Sequence, residues 1–347
     1  MEYTDNFFYD IIKNADFVDA TKRQYLNNLD RLQTLIYIEP NNSIQYIVFH
    51  PDEFIPNVKK YAKKQSGRFT SKTSPMFTEA FVKPIIGFFL HNVEFREEHL
   101  DLYEQWGKIK HILHKPSVKK EDSNEPSERE INAYMPLSEI INIRDQLPKG
   151  SMKRLVLYLY TEIPPLRDDY GQIHIYKSAS ERRKILEITK DEDITYPENN
   201  LIPSNEEVRS GIIPQNSVTE NYLLLKEHLI VVQHYKTSKK YGANRIPIPE
   251  VVMDEITESL NNIPREYLLI KENKQPLVAY NTGSEWINTI FKNTLNNRYI
   301  TIDAMRHIWI TDRKVNNLPL EEQQRIARIM AHSMTTQLRY AWNISTD

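Results

Sequence analysis

The 347-residue sequence contains no cysteine, which excludes disulfide cross-links and thiolate zinc sites and leaves the redox compartment undetermined. Glycine is scarce, 8 residues in all, and none of them builds a glycine-rich phosphate loop. No apolar run approaches the roughly 20 residues that a membrane span requires. Met1 is followed by acidic and aromatic residues, unlike a signal or transit peptide, so an intracellular protein is the default expectation. A His-Glu-x-x-His pair and a carboxylate cluster of metal-nuclease type are also missing, so neither a metal nor a nucleotide cofactor is expected. Net charge is nearly absent: 45 Lys and Arg against 47 Asp and Glu give −2. Such a balance weighs against a polyanionic partner, because neutralising phosphates favours basic surfaces.

What is present suits a soluble globular protein, with 40% hydrophobic and 27% charged residues and enough chain for two domains with real cores. The charge is unevenly spread. Residues 54–72 carry Lys59, Lys60, Lys63, Lys64, Arg68 and Lys72 with no acid among them, whereas acids gather at 121–130 and 187–207. A chain polarised in this way can offer one basic face to a nucleic-acid backbone while its total charge stays near zero. The wealth of Asn, Ile, Lys and Tyr reads as AT-rich coding DNA rather than as chemistry.

Residues 1–115 read as a small helical bundle. Thr21 can cap a helix carrying Tyr25, Leu29, Leu32 and Ile36, and Pro51 opens a second with Phe54, Val58 and Tyr61 on one side. A third, near 76–92, carries Phe77, Phe81, Ile85 and Phe89, with Pro84 as a kink or a true start. A fourth spans 96–114. The polar stretch 116–130, punctuated by prolines, reads as a linker. Residues 131–347 are mixed but mainly helical, with a small antiparallel sheet from 222–225, 229–235 and 245–249 and helices near 152–161, 250–260, 284–295, 303–314, 320–331 and 334–342. The polar stretch 171–220 reads as an insertion.

Four polar patches in this half stand in a suggestive order: PPLRDDY (164–170), HYKTSKKYG (234–242), IDAMRHIWIT (302–311) and AHSMTTQLRYAW (331–342). Each alone has an ordinary reading as a surface arginine, a solvated basic turn or polar packing. Together they offer what attack of a tyrosine oxygen on a phosphodiester needs. A phenol, with pKa near 10, is a poor nucleophile until its phenolate is stabilised. Phosphoryl transfer is catalysed mostly by positioning and preorganised positive charge. Tyr340 is the candidate nucleophile. Arg167 and Arg306 are candidate clamps, because the guanidinium fork stays protonated and can hold two phosphate oxygens. Lys236, with Lys239 and Lys240 as alternates, can protonate the leaving oxygen. His332 can donate to the scissile phosphate or help orient it.

These boxes resemble those of the tyrosine recombinase (lambda integrase-like) family. The family's first arginine box is matched by Pro165-Leu166-Arg167 with Asp168 and Asp169 following. Its turn-borne lysine is matched by Lys236 ahead of Arg245–Pro249. Its His-x-x-Arg-His box is matched by Asp303-x-x-Arg306-His307, and its Gly-His-Ser…Thr-x-x-Tyr box by Ala331-His332-Ser333…Thr336 and Tyr340. Asp303 stands where the family has a histidine or lysine. It removes one phosphate donor, a role His307 can take over, or it holds Arg306 in place. The resemblance covers 131–347 and is one of style only over the helical N-terminal half, where it implies a DNA core-binding domain.

The resemblance implies a site-specific recombinase or integrase that cuts and rejoins double-stranded DNA through a 3′-phosphotyrosyl link. It implies no cofactor, and a homotetramer on two DNA sites. The box style resembles integrases of mobile elements and large DNA viruses, which would place the protein in the nucleus or at a site of viral DNA replication. The seven residues after Tyr340 leave little room for a C-terminal exchange helix. Two alternatives stay open at this stage: a type IB topoisomerase-like nicking and resealing enzyme, and a decayed recombinase that binds DNA without cutting it.

Overall fold

The computed structural model describes residues 3–17, 19–37, 41–64, 75–186, 220–277, 282–297 and 299–344. These fall into two compact units, Met1–Ser123 and Asn124–Asp347. In the first, hydrophobic spacing produces helices α1 (Asp5–Asn14), α2 (Asp19–Arg31), α3 (Ile44–Phe49), α4 (Pro51–Lys64), α5 (Pro75–His91), α6 (Val93–Glu98) and α7 (Leu100–Ser123). A π-turn, Leu32–Ile36, continues α2. The sequence anticipates α2, α4, α5 and the α6–α7 region but not α1 or α3, whose buried Phe8/Ile12 and Ile44/Ile47/Val48 are too brief a pattern to stand out. Phe8, Phe54, Phe81, Phe88, Phe89 and Trp106 are fully buried, each stabilising the unit by about 1.5–3 kcal/mol.

Pro84 neither starts nor ends α5; it lies inside it. A proline lacks the N–H that would bond the carbonyl four residues back. That carbonyl, on Ala80, accepts instead from the buried side-chain amide of Asn28 on α2 at 2.9 Å. The helix tolerates Pro84 because a neighbouring helix supplies the missing donor.

The stretch expected as an irregular linker is helical in its first part. α7 runs on to Ser123, and after a short break α8 (Glu128–Ala133) begins on a capping box in which Ser127 and Glu130 satisfy each other's backbone. Lys and Glu are good helix formers, so polar composition alone does not mark an irregular connection.

The second unit is mostly helical around a small sheet. After α8 come α9 (Leu137–Asp145), α10 (Met152–Thr161), β1 (Ile173–Tyr176), α11 (Ala179–Leu186), β2 (Asn221–Leu224), β3 (Leu229–Val232), α12 (Ser238–Tyr241) and β4 (Asn244–Pro247). The helices α13 (Glu250–Asn262), α14 (Thr282–Thr294), α15 (Ile302–Asp312), α16 (Leu320–Ile329) and α17 (Met334–Tyr340) follow. Every residue of α10 from Arg154 to Thr161 is buried, which makes it the central helix of the unit.

The sheet is mixed rather than antiparallel. Its order is β1-β2-β3-β4, with β1 parallel to β2 and the other pairs antiparallel. Parallel pairing needs a long crossover, of which α11 is the described part. The expected insertion therefore begins with a strand of the sheet and a helix against it. Leu223, Ile230, Val232 and Ile246 face the main core, while Tyr176, Tyr222, Leu224 and Val231 form a second cluster with Ala179 of α11. Arg182 of α11 lies 3.8 Å over the Tyr222 ring. The remainder of that expected insertion, 187–219, lies outside the described residues.

Candidate active site

Central helix α10 ends at Thr161, just ahead of Pro164 and Pro165, which cannot continue a backbone ladder. The turn that follows carries Arg167 and is fastened from beneath. The Tyr160 hydroxyl donates to the Arg167 carbonyl, and the Tyr170 hydroxyl donates to that of Leu159 at 3.1 Å. The Arg167 side chain is half-buried, and among the described residues its guanidinium has no hydrogen-bond partner.

Arg306 reaches the same turn from α15 and is only 1% exposed. Its Nη1 donates to the Pro165 carbonyl at 2.6 Å, and its Nη2 donates to the Met330 carbonyl at 3.0 Å and to His332 Nδ1 at 3.2 Å. Its Nε donates to the Tyr340 hydroxyl at 3.4 Å, and its guanidinium carbon lies 5.1 Å from the centre of the Tyr340 ring. These acceptors are neutral, so the fork is fixed in place while its charge is left without a directly bonded carboxylate. A buried cation held this way favours an incoming anion.

His332 is oriented by the same contacts. Arginine can only donate, so His332 Nδ1 accepts, and the Nε2 proton is directed at Gln337 Oε1, 3.3 Å away. Gln337 in turn donates to the Gln323 carbonyl at 2.9 Å. Burial, followed by the Arg306 charge, pushes His332 down to about 3, so it is neutral at physiological pH. Arg167 pushes in the same direction, which puts both arginine charges in His332's surroundings. His332 therefore orients Arg306, and both of its ring nitrogens are engaged inside the protein rather than facing an open phosphate position.

Asp169, just past Arg167, is pushed up to about 7 by burial and by Asp168, against the pull of Arg306 and Arg167. Near neutral pH its negative charge is only partly present, so it offsets the two cations incompletely.

Tyr340 sits on α17, whose start is capped by Ser333: the Oγ accepts from the Thr336 amide at 3.1 Å. The Ser333 and Thr336 residues of the last sequence box thus build the helix that carries the tyrosine. Ala331, before His332, adopts a left-handed conformation with φ of 55°, which is why a glycine is the ordinary occupant of such a position. The Tyr340 hydroxyl donates to Asp303 Oδ1 at 3.1 Å. Asp303 thus bonds the tyrosine, whereas Arg306 is held by carbonyl groups and His332.

His307 is engaged by the segment that carries the tyrosine. Its Nδ1 donates to the Tyr340 carbonyl at 2.7 Å, and its ring stacks on Trp342 at 4.6 Å and 7°. Burial lowers its pKa, opposed by Asp303, and its Nε2 lies 3.9 Å from Asp303 Oδ2. Beyond the helix, the Trp342 amide donates to Thr311 Oγ1 at 2.9 Å, and the Asn343 amide donates to the Asn124 carbonyl at 3.0 Å. Tyr340 is therefore anchored on both sides within its own chain.

Lys236 is exposed in the turn between β3 and β4. Its neighbour Thr237 donates through Oγ1 to the Ala331 carbonyl at 3.0 Å, and Asn244 donates to the carbonyls of Arg328 and Ile329. The lysine turn is thus tied to the segment that carries His332. Lys239 and Lys240 lie in α12, but their side chains fall outside the described residues.

Arg306, His332, Tyr340, Asp303 and His307 are brought into contact, with Arg167 and Lys236 on adjoining turns. The proposed basic face is only partly described: Lys59 and Lys60 are exposed on α4, Lys63 and Lys64 lie in that helix without described side chains, and Arg68 and Lys72 lie outside the described residues. Gln337, 0% exposed, is the site residue that sequence reasoning missed. The available signal was its helical spacing of three from Tyr340, which puts an amide on the buried face.

Among the described residues there is no cluster of three metal-ligating side chains, and no helix is long and apolar enough to cross a membrane. No family model and no curated protein matches the chain. Among solved structures, the crystal structure of XerA recombinase is similar to it over 99% of this chain and 95% of its own, at 12% sequence identity and a TM-score of 0.40.

Proposed function

We propose that the chain is a site-specific DNA recombinase that cuts and rejoins strands through Tyr340. The observation that carries this reading is the contact between the Tyr340 hydroxyl and a buried Arg306 whose other acceptors are all neutral. A nucleophilic oxygen beside an anion-seeking fork fits attack on a phosphodiester.

In this reading Arg306 and Arg167 hold the non-bridging oxygens of the scissile phosphate. Tyr340 Oη attacks phosphorus, the bond to the 5′-oxygen breaks, and Lys236 supplies the proton that the departing oxygen takes up. The 3′-phosphotyrosyl link conserves the bond energy, so a 5′-hydroxyl from a partner strand reverses the step and rejoins DNA. His332 and Gln337 keep Arg306 in register. Double-stranded DNA is the partner, with assembly of four copies on two sites and the lysine face of α4 as a backbone contact.

Covalent trapping tests the reading. The protein is incubated with nicked suicide duplexes drawn from the ends of the DNA element that carries its gene, then run on a denaturing gel beside Tyr340→Phe. A DNA-shifted band in the wild type, absent from the variant, is the expected result. Sequence-specific DNA binding with no adduct on any of the duplexes would overturn strand cutting in favour of a binding-only protein.

A further inference from the structure

The Tyr340 hydroxyl must lose a proton as it attacks, and the site offers few places for that proton to go. Arg306 Nε is a donor and cannot receive it. His332 has its Nδ1 lone pair occupied by Arg306 and its Nε2 proton aimed at Gln337. His307 spends its Nδ1 proton on the Tyr340 carbonyl, and its ring lies beside the phenol, 4.4 Å between centroids, without a hydrogen bond to the hydroxyl. Asp303 remains, and the hydroxyl already donates to its Oδ1 at 3.1 Å.

Asp303 is not needed as the cap of α15. Thr301 fills that role, its side chain accepting from the Ala304 amide at 3.2 Å. An acid in the first turn is favourable to the helix dipole, but that benefit does not require a bond to a tyrosine one element away. With a side chain 72% exposed, Asp303 can also pass a proton on to solvent.

We propose that Asp303 is the catalytic proton acceptor for Tyr340. This rests on the strand-cutting reading above. The proton moves from Tyr340 Oη to Asp303 Oδ1 as the Oη–P bond forms. The P–O5′ bond breaks with its electron pair going to the 5′-oxygen, which takes its proton from Lys236. On rejoining, Asp303 returns the proton to the departing Tyr340 oxygen. An aspartate in place of a cationic residue thus converts a phosphate donor position into an acceptor facing the nucleophile. Among the described residues, His307 on its own helix lies 3.9 Å from Asp303 and Arg306 stands beside the phenol, while Glu130 on α8 acts on His307.

The test measures adduct formation from pH 6 to 9 by wild type, Asp303→Asn, Asp303→Glu and Lys236→Ala. Two duplexes are used, one with the natural 5′-oxygen at the scissile position and one with a 5′-bridging sulfur, which leaves without needing a proton. Asp303→Asn should be slower by about 10²–10⁴ on both duplexes, the usual worth of general base catalysis. Its rate should climb about tenfold per pH unit as hydroxide takes over from the missing base. Asp303→Glu should recover part of the rate, and Lys236→Ala should be slow only on the oxygen duplex. Asp303→Asn within threefold of wild type at every pH would overturn the proposal and leave Asp303 as an ordinary helix-terminal acid. Rescue of Asp303→Asn by the sulfur duplex would also overturn it, because the carboxylate would then serve the leaving group. Absence of the adduct from wild type itself defeats the strand-cutting reading instead, and this proposal with it.

Discussion

At the scale of single residues, the site is a set of protonation states fixed by neighbours. His332 titrates near 6.5 when exposed and near 3 when folded, through burial and the Arg306 charge. Between those values the unfolded chain holds more protons than the folded one, so this contribution to stability is present above about pH 6.5 and fades as pH falls towards 3. At pH 5 the loss amounts to about 2 kcal/mol. Asp169 opposes it. Its folded value of about 7 lies above the ordinary 3.8, so its contribution is fully present below about pH 4 and is lost as pH rises through 7. His332→Gln removes the first effect alone. Urea unfolding at pH 7 and pH 5 should show the variant gaining about 2 kcal/mol on wild type over that interval. Parallel pH dependences would mean that His332 is not buried in its neutral form.

Elements are governed by which of them supply each other's missing hydrogen bonds. Asn28 on α2 serves the Ala80 carbonyl that Pro84 leaves free in α5. Asn28→Leu should cost about 1–3 kcal/mol by leaving that buried carbonyl unsatisfied. In a Pro84→Ala background the alanine N–H can bond Ala80, and the cost should fall by at least about 1 kcal/mol. A double-mutant cycle by chemical denaturation measures this, and strict additivity would show that Asn28 and Pro84 are not coupled. The same logic acts in the second unit, where Asn244 and Thr237 bind the carbonyls around Ala331 and hold the lysine turn against the histidine segment.

These tertiary donors mark the boundary of what the sequence makes legible. The β3–β4 strands stand out because apolar residues cluster between turn signals. β1 does not, since Ile173–Tyr176 is four residues long and its partner begins at Asn221. Helices α13 to α17 follow from periodicity, whereas Pro84 misleads until Asn28 is seen beside Ala80. In the site, the order of Arg306, His332 and Tyr340 is readable from chemistry. The orientation of Asp303 towards Tyr340 is not, because it depends on α17 packing against α15, and the spacing that puts Gln337 on the buried face does not reveal its bonds to His332 and to the Gln323 carbonyl of α16.

For the whole molecule, two units of separate character share one chain: a helical unit with an aromatic core and exposed lysines on α4, and a mixed unit holding the candidate site. The second unit holds the bonds of the tyrosine with Arg306, Asp303 and His307 within one chain. Everything proposed for the molecule depends on one covalent bond. The decisive measurement is mass spectrometry of the protein–DNA adduct after nuclease and trypsin digestion. A nucleotide-phosphate mass on the peptide that starts at Tyr340, after the trypsin site at Arg339, is the expected result, with the other 19 of the 20 tyrosines unmodified. The same mass on another tyrosine or on a serine would contradict Tyr340 as the nucleophile.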